Sequence, residues 1–375
     1  MNDDSASAYP ARADLLTWRA ADGSPLWLPA QSGLTPADIV TTEFSMWRYA
    51  ATLPIPHSDR VSLGEGCTPL VELDSCGTLG KLEWLNPTSS FKDRGVAMMI
   101  SQLKALGAQR VLEDSSGNAG SSVAAYARAA GMQATILAPA HTSSHKISQI
   151  RSFGATVELI SGSRDDVSAA AVTLAQQIPY ASHNWNPYFL HGIKTIGYEI
   201  WESLAFTLPD NIVTVAGSGS IALGLDLAFT ELRQAGQITK SPRIFVGQPL
   251  GFDPIVHLAN GTTPPPSNIE KPARLAEGAS ITRPVRGAQV AEVVRRSGGH
   301  GVSVSDEQIA RATQYLVSRG IFAEPTSALA YAATEILRDS GVITSSEQTV
   351  VVLTGTGLKA AEAMAAALAW GKADI

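Results

Sequence analysis

The 375-residue sequence is short of cysteine, of positive charge and of long apolar runs. Cys67 and Cys76 are its only cysteines. Two are too few for a disulfide framework or a thiolate zinc site, so a reducing, cytoplasmic setting is expected. Its 28 Lys and Arg stand against 34 Asp and Glu, a formal net charge of −6. No basic surface is available to neutralise a phosphate backbone, which excludes nucleic-acid binding as the main task. No run of roughly 18 apolar residues occurs, so no membrane span is expected. The opening MNDDSASAYPARAD is acidic and polar where a secretory leader would be basic and then apolar. There is no HExxH pair, and no metal is expected. What is present is 45% hydrophobic and 17% charged residues, a composition that packs rather than one that stays disordered.

At about 150 residues per domain the length predicts two domains. From about residue 81, short β-rich runs alternate with amphipathic stretches, the pattern of parallel strands joined by helices. KLEWL, RVLED, ATILAPA, TVELI, NIVTVAG, RIFVGQP and TVVVLTG read as strands. Helices are expected at about 92–106, 118–130, 144–153, 164–177, 188–205, 220–235, 307–318, 326–339 and 358–370. The segment 251–287, with TTPPPSN inside it, reads as a long surface connection. The first 60 residues carry Trp18, Trp27 and Trp47 and read as an arm packed on the body. The fold class is α/β, and its ligands belong in loops at the carboxyl ends of strands.

Four such loops stand out. Asn86-Pro87-Thr88-Ser89-Ser90-Phe91-Lys92-Asp93-Arg94-Gly95 puts Lys92 in the first turn of a helix. There the dipole disfavours an ammonium and favours a neutral amine, which condenses with aldehydes. The plain alternative is a solvated lysine behind Ser and Thr caps. Asp114-Ser115-Ser116-Gly117-Asn118-Ala119-Gly120 offers backbone N–H groups and hydroxyls to a carboxylate, or simply caps a helix. Gly217-Ser218-Gly219-Ser220 lets backbone donors approach a phosphate at a helix N-terminus. It also fits GxGxxA, but RIFVGQP lacks the acidic residue that would take a ribose, and no Lys-Ser/Thr follows to make a Walker loop. Thr354, after TVVVL, sets a neutral hydroxyl at a fourth strand end. One lysine, two anion cradles and a neutral hydroxyl describe a site for pyridoxal phosphate.

On these motifs the sequence resembles the fold-type II pyridoxal-phosphate enzymes, and within them the threonine synthases. Gly64-Glu65-Gly66-Cys67-Thr68-Pro69-Leu70 is similar to their entry motif, and Lys81-Leu82-Glu83 with NPTSSFKDRG to their lysine block. SSGNAG, KISQIRSFGATVELISGSRDD, Asn184-Trp185-Asn186-Pro187-Tyr188, AGSGS, Glu324-Pro325-Thr326-Ser327 and TGTGLK follow in the family's order. The resemblance implies that Lys92 is the catalytic lysine, joined covalently to the cofactor, with Phe91 beside it. It implies that Asn118 meets the ring hydroxyl, that Gly217, Ser218, Gly219 and Ser220 hold the phosphate, and that Thr354 contacts the pyridine nitrogen. Ser115, Ser116, Gly117 and Asn118 would take the substrate carboxylate, with Lys81, Asn184 and Asn186 near its other end. It further implies two doubly wound domains with parallel central sheets: a large one of residues 1–98 and 192–375, and a small mobile one of residues 99–191. A homodimer acting on a small amino acid is implied as well, converting O-phosphohomoserine to threonine and phosphate by γ-elimination and β-addition of water.

The chain departs from the pattern after Asn186-Pro187. Phe189 stands where the family carries an arginine, and Ile193 where it carries a glutamine. Arginine is the residue best matched to a phosphate dianion, so a threonine or serine ammonia-lyase and a β-replacement synthase stay open. Lys146 and Lys194 are then further candidates for the distal group. Ser89 replaces a family glycine. Ser89-Ser90-Phe91-Lys92 also satisfies the SxxK of serine hydrolases, without their KTG or SDN partners, and a catalytically silent paralogue is a third alternative.

Overall fold

The computed structural model describes residues 7–8, 14–142, 144–263 and 274–371, the side chains of 7–8 and 144–146 excepted. Most of the acidic opening, the Pro-rich part of the expected 251–287 connection from Pro264, and the Lys146 side chain lie outside the described residues. In chain order the strands are β1 (Ser7–Ala8), β2 (Leu26–Trp27), β3 (Leu70–Glu72), β4 (Thr78–Leu82), β5 (Arg110–Glu113), β6 (Gln133–Pro139), β7 (Thr156–Ile160), β8 (Asn211–Val215), β9 (Arg243–Pro249), β10 (Gly301–Val304) and β11 (Thr349–Leu353). The helices are α1 (Lys92–Ala105), α2 (Asn118–Ala129), α3 (Ser144–Ser152), α4 (Arg164–Leu174), α5 (Pro187–Ile193), α6 (Thr195–Ser203), α7 (Ser220–Gln234), α8 (Pro254–Asn260), α9 (Gly287–Arg296), α10 (Asp306–Ser318), α11 (Pro325–Asp339) and α12 (Ala361–Ala369).

By packing, the chain divides into two units: residues 1–67, 86–196 and 230–235, and residues 68–85, 197–229 and 236–375. This division groups residues 1–67 and 86–98 with the first unit, whereas the resemblance placed them in the large domain.

In the first unit β5, β6 and β7 form a parallel three-stranded sheet in that order, with α2 and α3 as its crossovers. Leu112 and Leu137 pack with Val167, Ala171 and Tyr180, and Trp18 joins them. Trp18 meets Tyr180 and Trp185 edge-to-face at centroid separations of 5.2 and 5.0 Å, which anchors that part of the N-terminal segment within its unit. Ser163 and Asp166 form a capping box that fixes the start of α4.

In the second unit six strands run in the order β10-β9-β8-β11-β4-β3, all parallel except β3, which pairs antiparallel with β4. Every residue of β8 (NIVTV) and β11 (TVVVL) is buried, as expected of central strands covered on both faces. β3 and β10, of three and four residues, carry too little pattern to stand out in sequence. The expected helix 188–205 is parted at Lys194 into α5 and α6. Thr195 donates its hydroxyl back to the Gly192 carbonyl at 2.7 Å, a bond that bends a helix at that point.

Candidate active site

The first unit positions Lys92 through its neighbours. Asp93 accepts the Thr88 backbone N–H and the Thr88 and Ser122 hydroxyls, each at 2.6 Å. One buried carboxylate thereby ties the NPTSS loop to both α1 and α2. Ser89 adopts φ 66°, a left-handed conformation that a glycine adopts at less cost. Ser90 is fully buried and its hydroxyl has no hydrogen-bond partner among the described residues. Lys92, half-buried as the first residue of α1, holds Nζ 4.7 Å from the Phe91 ring centroid and 5.5 Å from that of Phe189. The rings favour the ammonium and the helix start disfavours it.

The loop after β5 ends against α2. A Cβ at Gly120 would lie 1.8 Å from the Ser115 carbonyl oxygen, so only glycine lets the helix start this close to the turn. Ser115 is buried, while Ser116, Gly117 and Asn118 are half-buried. Asn118 is the first residue of α2, directly behind Gly117.

The second unit carries the other two loops. Gly219 has φ 80°, and a Cβ there would lie 2.4 Å from Val290 Cγ2. One at Gly217 would lie 3.0 Å from the Gly278 carbonyl oxygen. Glycine at both positions turns the backbone from β8 into α7, whose 15-residue length gives Ser220 and the first N–H groups a full helix dipole. Thr354 is buried, with its Oγ1 3.0 Å from Ser327 Oγ. Ser327 Oγ in turn accepts the Gly355 N–H at 2.8 Å.

The donor sets fit pyridoxal phosphate. A close-approach glycine turn on a helix N-terminus suits a phosphate monoester, Thr354 offers a neutral hydroxyl, and Ser90, two residues before the lysine, holds a buried hydroxyl with no hydrogen-bond partner among the described residues. Residues 61–355 match the family described as "Pyridoxal-phosphate dependent enzyme". The chain belongs to the pyridoxal-phosphate dependent enzymes. It is 35% identical over 325 residues to "Threonine synthase" of Methanosarcina acetivorans, covering 84% of this chain and 80% of that one. It is 32% identical over 328 residues to "Threonine synthase" of Methanocaldococcus jannaschii, covering 84% and 81%. Among solved structures, the processed form of threonine deaminase isoform 2 from Solanum lycopersicum superposes with a TM-score of 0.70 at 20% identity, over 99% of this chain and 98% of that one. That last likeness shows the fold.

In this pyridoxal-phosphate enzyme the residues expected near the substrate's far end lie as follows. Lys81, on β4, is fully buried and ion-paired with Glu199 at 2.6 Å, and it also donates to the Thr68 carbonyl. Its charge is therefore matched inside the second unit. In the first unit Asn186 is the N-cap of α5, accepting the Tyr188 N–H at 2.9 Å, and Asn184 is half-buried just before it. Lys194 is fully buried against Glu231 at 2.8 Å. Phe189 is fully buried, and a Cβ on Gly95 would lie 2.4 Å from its ring.

Sequence reasoning passed over Glu113 and His183. Glu113 closes β5 fully buried, with Oε1 2.9 Å from His183 Nδ1. Burial pushes its carboxyl up to about 8, and burial pushes the His183 imidazole well below its ordinary value. The signal that finds Glu113 is a charged residue directly after the buried Val111 and Leu112 of a strand.

Two outcomes follow from this geometry. Gly219→Ala forces a left-handed alanine against Val290, at about 1–2 kcal/mol for the backbone alone. The cofactor dissociation constant, read by fluorescence titration, rises about tenfold or more. The raised Glu113 value means that the folded state holds its proton from pH 4.5 up to 8, where the unfolded chain has released it. The stability that Glu113 contributes is thus fully present below 4.5 and is lost as pH rises through 8. Urea unfolding of Glu113→Gln at pH 5.5 and pH 8.5 shows the variant gaining about 1–2 kcal/mol on the wild type across that interval.

Proposed function

We propose that this protein is a threonine synthase-like lyase that converts O-phosphohomoserine to threonine and phosphate, by γ-elimination followed by addition of water at the β carbon. The observation that supports it best is Lys92 at the start of α1, behind a loop fixed by Asp93, in a chain 32–35% identical to threonine synthases. When bound, pyridoxal phosphate withdraws electrons from the α carbon of an amino acid attached to its aldehyde.

The chain's own residues do the rest. Lys92 would hold the cofactor through Nζ, and the same nitrogen, when free, would take the α proton of the substrate. Phe91 and Phe189 confine that nitrogen. Ser115, Ser116, Gly117 and Asn118 orient the substrate carboxylate through backbone N–H groups and hydroxyls, and Asn118 meets the ring hydroxyl. Gly217, Ser218, Gly219 and Ser220 bind the cofactor phosphate. Thr354, already hydrogen-bonded to Ser327, leaves the ring nitrogen without a proton donor of its own charge, which suits elimination and replacement better than transamination. Asn184, Asn186 and Lys81 would serve the distal group, Lys81 with its charge matched by Glu199.

A second reading has its own support. Phe189, boxed in by Gly95, supplies no guanidinium for a substrate phosphate, which favours a threonine or serine ammonia-lyase or a β-replacement synthase. Incubating the purified protein with O-phosphohomoserine separates the two. Phosphate release matched by threonine supports the first reading. Keto acid from threonine or serine, without phosphate chemistry, replaces it with the second.

We also propose a cytoplasmic homodimer whose residues 99–191 form a smaller mobile domain; sedimentation and hydrogen exchange test both. Among the described residues no helix is long and apolar enough to cross a membrane.

A further inference from the structure

The first unit carries a buried acid–imidazole pair that the mechanism above does not use. Both oxygens of Glu113 are engaged by one residue: Oε1 lies 2.9 Å from His183 Nδ1, and Oε2 accepts the His183 backbone N–H at 3.3 Å. The His183 ring lies edge-on to Phe189, with centroids 6.0 Å apart. Phe189 in turn lies 5.5 Å from Lys92 Nζ. Pair, phenyl ring and lysine therefore form one continuous stack, and Gly95 holds the ring in place.

We propose that the Glu113–His183 pair is a positioning device for Lys92, holding one proton between a carboxyl and an imidazole behind Phe189 and thereby setting the charge that Lys92 experiences. The inference rests on Lys92 being the cofactor lysine. With one proton the pair is neutral, whether written as acid and imidazole or as carboxylate and imidazolium. When that proton leaves to solvent, a single negative charge remains.

Burial raises Glu113 to about 8 and depresses His183, so the pair is neutral at neutral pH. The other groups acting on it are Lys92 from α1 and Arg164 from the start of α4, both of which lower Glu113 and His183. From the following loop Asp114 raises His183. Asp114 is itself raised by burial and then by Glu113, and its hydrogen bond from Tyr180 opposes this. Beside the neighbouring Asp93 carboxylate, the pair thus adds no net charge to the surroundings of Lys92 below about pH 8 and a single negative charge above it. A negative charge within reach of a lysine nitrogen favours its protonated form. Ionisation of the pair therefore extends the protonated state at Lys92 to higher pH.

The test is a pH titration of the visible absorption of the cofactor-loaded protein, after borohydride reduction and peptide mapping have placed the cofactor on Lys92. Glu113→Gln keeps the hydrogen bond but cannot ionise. Its spectral midpoint moves down by about one pH unit, and Glu113→Asp restores most of the shift. Where Glu113→Gln folds poorly, the wild type suffices: the ¹⁵N resonances of His183 titrate near pH 8, and the cofactor absorption shows an inflection at that same pH below its main midpoint. An unchanged midpoint in Glu113→Gln, or a cofactor absorption without that inflection in the wild type, overturns the proposal while leaving Lys92 as the cofactor lysine. Lys92 left unmodified by borohydride overturns both.

Discussion

Replacing Lys92 with alanine will leave a folded protein that no longer retains pyridoxal phosphate after gel filtration and whose kcat falls by about a thousandfold or more. Stability changes little, because Lys92 is half-buried at the first position of α1 and because the loop ahead of it is held by Asp93 rather than by the lysine. Lys92→Arg sharpens the test. A guanidinium retains the positive charge over Phe91 and Phe189 but is not a nucleophile and does not give up its proton. If arginine restored turnover, the role of Lys92 would be electrostatic and the covalent assignment would fall.

The second large effect concerns folding. Glu231 and Lys194 are both fully buried. Glu231 accepts from Lys194 Nζ at 2.8 Å, from the Gln31 N–H at 2.7 Å and from the Thr52 hydroxyl at 2.7 Å. Lys194 Nζ also donates to the Thr52 carbonyl at 2.7 Å and lies 3.1 Å from His191 Nδ1. Glu231→Ala strands an ammonium in the interior and costs about 3–5 kcal/mol, lowering the thermal midpoint by roughly ten degrees. Lys194→Met combined with Glu231→Leu recovers most of that loss, since two apolar side chains leave no charge behind. The pH dependence has a definite sign. Burial already lowers Lys194 to about 8 from an ordinary 10.5. Without Glu231 the folded state releases this proton at a lower pH still, so the deficit against the wild type shrinks as pH rises toward 8 and levels off above it, where both folded proteins have lost the proton. Calorimetry at pH 6 and pH 8 measures the difference.

Much of the fold was legible because its signals are local. The apolar runs NIVTV and TVVVL could only be central strands, and the glycines of 217–219 mark a strand-to-helix turn through their backbone requirements alone. Lys92 was legible because dense motif chemistry surrounds it. What escaped depends on contacts distant in sequence. Lys81 looked like a free cation until Glu199, 118 positions later, paired with it, and Lys194 until Glu231 did. The Glu113–His183 pair spans 70 positions, and nothing in either neighbourhood announces the other. The short strands β3 and β10 are specified by the sheet they join rather than by their own composition.

The contact between Phe189 and Gly95 bears on how this protein can be redesigned. The ring occupies the space a side chain on Gly95 would need, while a Cβ on Gly192 would lie 2.0 Å from the Arg94 carbonyl oxygen, so α5 and α1 approach almost backbone to backbone. Grafting an arginine into position 189 would therefore install no phosphate receptor. The longer, charged side chain has nowhere to lie without prising apart the helix that presents Lys92. Exchanging one substrate specificity for another along this lineage has to begin with the spacing of two helices, and only then with the residue that would read the new ligand.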